Sequence, residues 1–200
     1  MACPPAPEHG ERARSDGQLL AELDSNSGLR VLYERHFEHL FRYVAARIGR
    51  QAAEDVVAET FVIAFTRRSA FDPSHACALP WLIGIATNLL RSRWRAERRH
   101  LATDPGRIER GGAPDPALDD TIARADAASA RGAVMRAVKR LRPSERDAFL
   151  VHALVGLEGA ELGVALGVSP SAASVRLHRA RIRLRATLPS TLLSHDEDRE

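Results

Sequence analysis

At 200 residues with 44% hydrophobic side chains, the chain has enough apolar content for one ordinary domain or two small ones, which excludes disorder throughout. A net charge of +3 is only mildly basic, but the charge is uneven: residues 91–99 hold five Arg against Glu97, and residues 176–185 hold five Arg with no acid, a pattern that suggests two contacts with a polyanion. Two cysteines, Cys3 and Cys77, are too few for a disulfide framework and lie in no metal-ligand spacing; no uncharged run nears the ~18 residues of a membrane helix, so a soluble protein of the reducing cytoplasm is expected.

Residues 1–28 are rich in Pro, Gly, Ser and acid and read as a disordered N-terminal tail. From Leu29 to Ile48 apolar residues recur at Leu32, Leu40, Val44 and Ile48, with Phe37 and Phe41 between them, which predicts a helix that Gly49 stops. A second helix is predicted over Gln51–Arg67, with Val57, Phe61, Ala64 and Phe65 on one side. Asp72-Pro73 marks a loop, and Pro80 opens a third helix through Leu82, Ile85, Ala86 and Leu89 to about His100. These helices make a first domain over residues 29–100.

Breakers then cluster at Asp104-Pro105-Gly106 and from Gly111 to Pro116, so residues 101–130 are a flexible linker. A second domain follows over 131–188: Val134, Val138 and Leu141 make one helix face, Pro143 restarts a helix through Phe149 and Leu154, and two short helices complete it. Residues 189–200 form an acidic tail. Strand patterning is almost absent, and the fold class is all-α, two small helical domains on a tether.

The last two helices carry the most specific local signal. A short apolar helix ends at Gly167, where a left-handed turn suits glycine, Ser169 is placed to cap the next helix, and Pro170 occupies its first position. So short a turn between two helices is helix-turn-helix geometry. On the second helix Ala173, Leu177, Ala180, Leu184 and Leu188 share one face, while Arg176, Arg179 and Arg183 share another that suits phosphate or guanine contacts.

Together with two other segments, this stretch resembles the small two-domain sigma factors of bacterial RNA polymerase, the extracytoplasmic-function group of the sigma-70 family. Ala53-Glu-Asp-Val-Val-Ala-Glu-Thr-Phe-Val-Ile-Ala-Phe is similar to the family's polymerase-binding helix, and Phe71-Asp-Pro through Trp81-Leu-Ile-Gly-Ile-Ala-Thr-Asn-Leu to its promoter-melting segment. The resemblance spans Leu29 to Leu188. It implies a sigma2-like bundle that binds core RNA polymerase and the minus-10 element, and a sigma4-like helix-turn-helix that binds the minus-35 element.

By the same resemblance, Asp55 and Glu59, one turn apart with Ala58 between them where the family often has Gln, form the polymerase-binding face. Asn88, Arg91, Arg95 and Arg98 face minus-10 DNA, with the loop Phe71–Leu79 beside a flipped base. Ser171, Ser174, Arg176, Arg179 and Arg183 face minus-35 DNA; Ser174 replaces a common Lys or Arg, and Glu158 replaces a helix-capping Ser. The resemblance also implies regulation by an anti-sigma protein. Trp81 and Trp94 suit core packing better than base stacking.

Other functions make weaker sense of these residues. A stand-alone helix-turn-helix regulator predicts a dimerisation helix, and none is evident. A nuclease or recombinase needs clustered carboxylates, and Asp55 with Glu59 lacks a third ligand. His75 with Cys77 is at most half of a zinc set, so neither metal nor other cofactor is expected. The sequence therefore points to a transcription initiation factor and not to an enzyme, with its arginine-lined and acid-bearing helices in two separate folded units.

Overall fold

The computed structural model describes residues 14–21, 26–75, 77–103 and 130–188, and within them every regular element is helical. In chain order these are α1 (Asp16–Ala21), α2 (Asn26–Ile48), α3 (Arg50–Thr66), α4 (Leu79–Thr103), α5 (Ala130–Lys139), α6 (Pro143–Val155), α7 (Gly159–Leu166) and α8 (Pro170–Thr187), with one 3₁₀ turn at Arg68–Ala70. The expected linker and acidic tail fall for the most part outside the described residues.

The first unit is built on helical periodicity. Gly49 breaks α2 from α3 with φ of 81°, a left-handed angle at which a side chain is strained. Beyond it Ala53, Val56, Val57, Thr60, Phe61 and Ala64 recur at helical spacing and bury one side of α3 against α2 and α4. The buried positions of α4 are Leu79, Pro80, Leu82, Ile83, Ala86, Thr87 and Leu90. Ile85 and Leu89, expected at the centre of that face, are only partly buried. The stripe is turned because α4 packs on α3 and also on α7.

The N-terminal tail needs correction. Residues 16–21 form α1, which packs on α2 with Leu19 and Leu20 in the core. Removing each leucine from water contributes roughly 1.5–3 kcal/mol, enough to hold a helix too short to form alone.

The second unit has the expected order, with α6 and α7 both packed on α8, although α8 is long, at 18 residues. Its relation to the first unit was not foreseen: α6 lies on α2, and α7 lies on α4. A Cβ on Gly84 of α4 would stand 3.5 Å from the Val164 carbonyl oxygen and 3.6 Å from that of Ala165, ordinary contact distances that place the two helix backbones close together. The units are thus packed together, not held apart.

Candidate nucleic-acid and polymerase interfaces

The helix-turn-helix forms as its local chemistry predicts. Gly167 closes α7 in the left-handed region at φ 66°, and the Val168 amide donates to the Gly163 carbonyl at 3.0 Å. Gly163 is needed for a second reason, since a Cβ there would lie 2.9 Å from the Val168 carbonyl oxygen. Ser169 Oγ accepts from the Ala172 amide at 3.3 Å, with Pro170 opening the helix. Glu158 precedes α7 without a side-chain cap bond, as its residue type leads one to expect.

Packing fixes which side of α8 is outward. Ala173, Leu177, Ala180 and Leu184 are buried, while Ser171, Ser174 and Arg179 are exposed and Arg176 is half-buried. Arg183 is half-buried too, and its Nη1 lies 3.1 Å from Glu145 Oε2 of α6. Sequence reasoning missed Val175 and Ile182, exposed apolar side chains on this helix whose signal was their absence from the packed register.

On α3, Asp55 and Ala58 are exposed and Glu59 is half-buried, its carboxylate accepting from Arg93 Nη2 of α4 at 2.7 Å. One turn further on, Val62 is 63% exposed, an apolar member of the same face that charge-based reasoning passed over. On α4, Asn88, Arg95 and Arg98 are exposed. Arg91 differs: its Nε and Nη2 donate to Asp147 Oδ2 at 3.1 and 2.9 Å, so this member of the predicted minus-10 stripe is engaged by the second unit.

Asp147 sits at the centre of the seam between the units. Its other oxygen accepts from Arg47 Nη1 of α2, and both side chains are buried. Arg47 also donates to Tyr43 Oη at 3.1 Å, and Tyr43 Oη lies 2.9 Å from Thr87 Oγ1. Burial, partly countered by the Arg47 charge, raises the Tyr43 hydroxyl above its ordinary range, so it stays protonated. Trp94 lies within cation–π distance of Arg47, at 4.4 Å, and of Arg146 on α6, at 5.2 Å. Trp81 packs on Phe71 with ring centroids 5.4 Å apart. Both tryptophans are therefore packed residues. Arg42 Nη2 adds a bond of 2.6 Å to the Leu154 carbonyl oxygen of α6.

A second buried carboxylate, Asp16, was hidden in the expected tail. Its Oδ2 accepts from His36 Nε2 and from the Ala78 amide, both at 2.7 Å, and its Oδ1 accepts from Arg35 Nη1. Burial raises its pKa, but the bond and charge of His36, the Ala78 amide and Arg35 together outweigh that and hold it below the ordinary 3.8. Asp16, His36 and Cys77 bring potential ligand atoms within 4.8 Å of one another. That carboxylate is already taken up by an arginine, a histidine and an amide, and Cys77 is disulfide-bonded, so the cluster offers no ready thiolate for a metal. The disulfide itself was not expected from a cysteine count read as cytoplasmic. His75 is exposed and faces Asp72 at 3.6 Å instead.

Similarity to known proteins bears on this arrangement. Residues 32–100 match the model of Sigma-70 region 2, and residues 131–184 that of Sigma-70, region 4. The RNA polymerase sigma factor CarQ of Myxococcus xanthus is 30% identical over 158 residues, 78% of this chain and 87% of CarQ. The ECF RNA polymerase sigma factor BldN of Streptomyces coelicolor is 28% identical over 159 residues, 79% of this chain; the match spans only 59% of BldN. Among solved structures, CnrH in complex with the cytosolic domain of CnrY superposes with a TM-score of 0.61 at 25% identity, covering 86% of this chain and 96% of CnrH. The fold is that of the sigma-70 class. This chain belongs to the extracytoplasmic-function (ECF) RNA polymerase sigma factors. Among the described residues no helix is long and apolar enough to cross a membrane.

Proposed function

We propose that the chain binds core RNA polymerase in the cytoplasm and directs it to promoters by recognition, without catalysing a reaction itself. The supporting observation is that one chain carries, in family order, an outward acid-bearing face on α3 and an outward Ser/Arg face on a capped helix-turn-helix. Asp55, Ala58 and Glu59 serve as the polymerase face, with Val62 supplying apolar contact. Asn88, Arg91, Arg95 and Arg98 meet minus-10 DNA, and Ser171, Ser174, Arg176, Arg179 and Arg183 meet minus-35 DNA. Phosphate contacts fix register, and base-edge contacts select sequence.

Arg91 and Arg183 are both held by carboxylates of α6, which gives the reading a conformational step. The helical units part when DNA and polymerase take over Arg91, whose pair is the one of the two that crosses between them, while Arg183 exchanges Glu145 for DNA inside the second unit; the linker then keeps the two promoter contacts at high effective concentration. CnrH is seen with the cytosolic domain of CnrY. By analogy, an anti-sigma protein that covers the α3 and α8 faces would favour the packed state of this chain.

The test is reconstitution with core polymerase on a duplex library randomised over both promoter elements. Enrichment of paired minus-35 and minus-10 sequences is expected, and replacing Asp55 and Glu59 together by Ala should weaken core binding at least tenfold, the scale of two lost charge-assisted contacts. A chain that enriches no sequence above core polymerase alone overturns the reading.

A further inference from the structure

The matched region 2 begins at residue 32, so α1 lies outside it. Yet α1 touches the loop between α3 and α4 at two separated points. At one, Gly17 is buried against Pro73, and a Cβ on Gly17 would stand 3.4 Å from both Pro73 Cα and Cβ. At the other, Asp16 takes the Ala78 amide at 2.7 Å, immediately before α4 begins at Leu79. A cavity of about 440 Å³ lies beside the first of these contacts, lined in part by Gly17, Leu20, Phe71 and Pro73. Residues 72–75 are exposed above it.

The bond to Ala78 is well suited to set the loop's exit. A carboxylate at a helix N-terminus meets donors that have no intrahelical acceptor and a favourable dipole. Asp16 is itself fixed from the far side by His36 and Arg35 of α2, while Arg35 Nη2 also donates to the Arg14 carbonyl oxygen at 3.2 Å. The Asp72 carboxylate, by contrast, accepts from the Ser74 amide at 2.9 Å, a turn bond local to the loop that ties it to nothing else. The anchors described for this loop therefore come from α1 and from Phe71 on Trp81.

We infer that Asp16 is a positioning residue for promoter reading: through the Ala78 amide, with Gly17 bracing Pro73, it holds the Phe71–Leu79 loop in the shape that faces the minus-10 element. This rests on the sigma-factor reading above and adds to it a determinant outside the matched regions. The groups facing Asp16 are His36 and Arg35 from α2 and the Ala78 amide from the loop.

The test uses the full chain as holoenzyme, with two variants. Asp16→Asn keeps the shape but loses the charge; Gly17→Leu leaves Asp16 intact and drives a side chain into Pro73. Each holoenzyme selects from the duplex library randomised over both elements, and core affinity is measured alongside. Both variants should lower base preference across the minus-10 element, on the order of tenfold for a lost buried charged hydrogen bond, with minus-35 preference and core affinity within about twofold of wild type. Amide exchange in residues 72–79 should quicken while α3 amides stay protected. Unchanged minus-10 preference in both variants overturns the inference, as does an equal fall at both elements, which marks general loss of folded protein. Failure of the wild-type chain to enrich any sequence overturns the sigma-factor reading instead.

Discussion

Asp16 and Asp147 are both buried carboxylates that each gather two basic side chains, yet they fasten different kinds of seam. Asp16 joins α1 and the loop to α2 within one unit; its partners Arg35 and His36 are neighbours on one helix and are themselves buried. Asp147 joins two units, and of its partners Arg47 is buried while the Arg91 side chain keeps 33% of its surface in water. Around Asp16 two core leucines complete the seal. Around Asp147 the contacts are an arginine on a carbonyl, arginines on Trp94 and backbone against a glycine. A buried ion pair adds little net stability over apolar packing but fixes geometry strongly. The first seam is therefore a permanent part of a core, and the second is a register device between surfaces that can part, as polar contacts between domains commonly do.

The largest effect should come from cutting the permanent seam. Asp16→Ala leaves Arg35 and His36 unbalanced in a site they cannot leave without unfolding α2, at a cost of about 3–5 kcal/mol, to be read from the urea midpoint. The pH dependence has a definite sign. A carboxyl held below its ordinary 3.8 stabilises the fold fully above that value and loses its contribution as pH falls through the lowered one. The gap between wild type and variant should thus be constant near neutrality and shrink below pH 3.8. A gap that persists unchanged into strong acid would show that lost packing, not lost charge, makes the difference.

Asp147→Ala should cost less and do something else. Arg91 already touches water, and Arg47 gains it if the units part, so the loss is held to about 1–3 kcal/mol by opening of the seam. The expected signature is a larger radius of gyration in small-angle scattering with both units still helical. Freed Arg91 should also raise the affinity for duplex DNA at low salt. Unfolding as severe as that of Asp16→Ala, without expansion, would erase the distinction between the two seams.

The contrast also explains what could be read from sequence. The face of α8 formed by Ala173, Leu177, Ala180 and Leu184, the Gly167 turn and the Ser169 cap are local, and they are seen as expected. So are the exposed Asp55, Ala58, Asn88, Arg95 and Arg98, because exposure follows once the packed side is known. Helix α1 escaped because six residues carry less than two turns of period, and its burial comes from partners on α2 and at Ala78. The Asp147 seam escaped because its pairs lie 56 and 100 residues apart, and nothing on α6 marks one acid as the mate of two distant arginines. The same seam accounts for the turned stripe of α4 and for Arg91 facing protein in place of solvent.

The smallest effect belongs to the helix-turn-helix caps, whose bonds involve neither Asp16 nor Asp147 and so serve as the control. Ser169 Oγ bonds the Ala172 amide, and Ser169→Ala should cost about 1 kcal/mol. Glu158 offers α7 no such bond. Its carboxylate lies 3.4 Å from His152 Nδ1 but is 70% exposed, and an ion pair so wet contributes little. Glu158→Ser should therefore trade a weak pair for a cap and stabilise the second unit by roughly 0.5–1 kcal/mol in thermal unfolding. Neither change touches Asp147, Arg47 or Arg91, so the radius of gyration should match wild type in both. If Glu158→Ser stabilises the unit yet expands the particle, the units are coupled through α7 and not through the Asp147 triad, and the assignment of the separable seam moves with it.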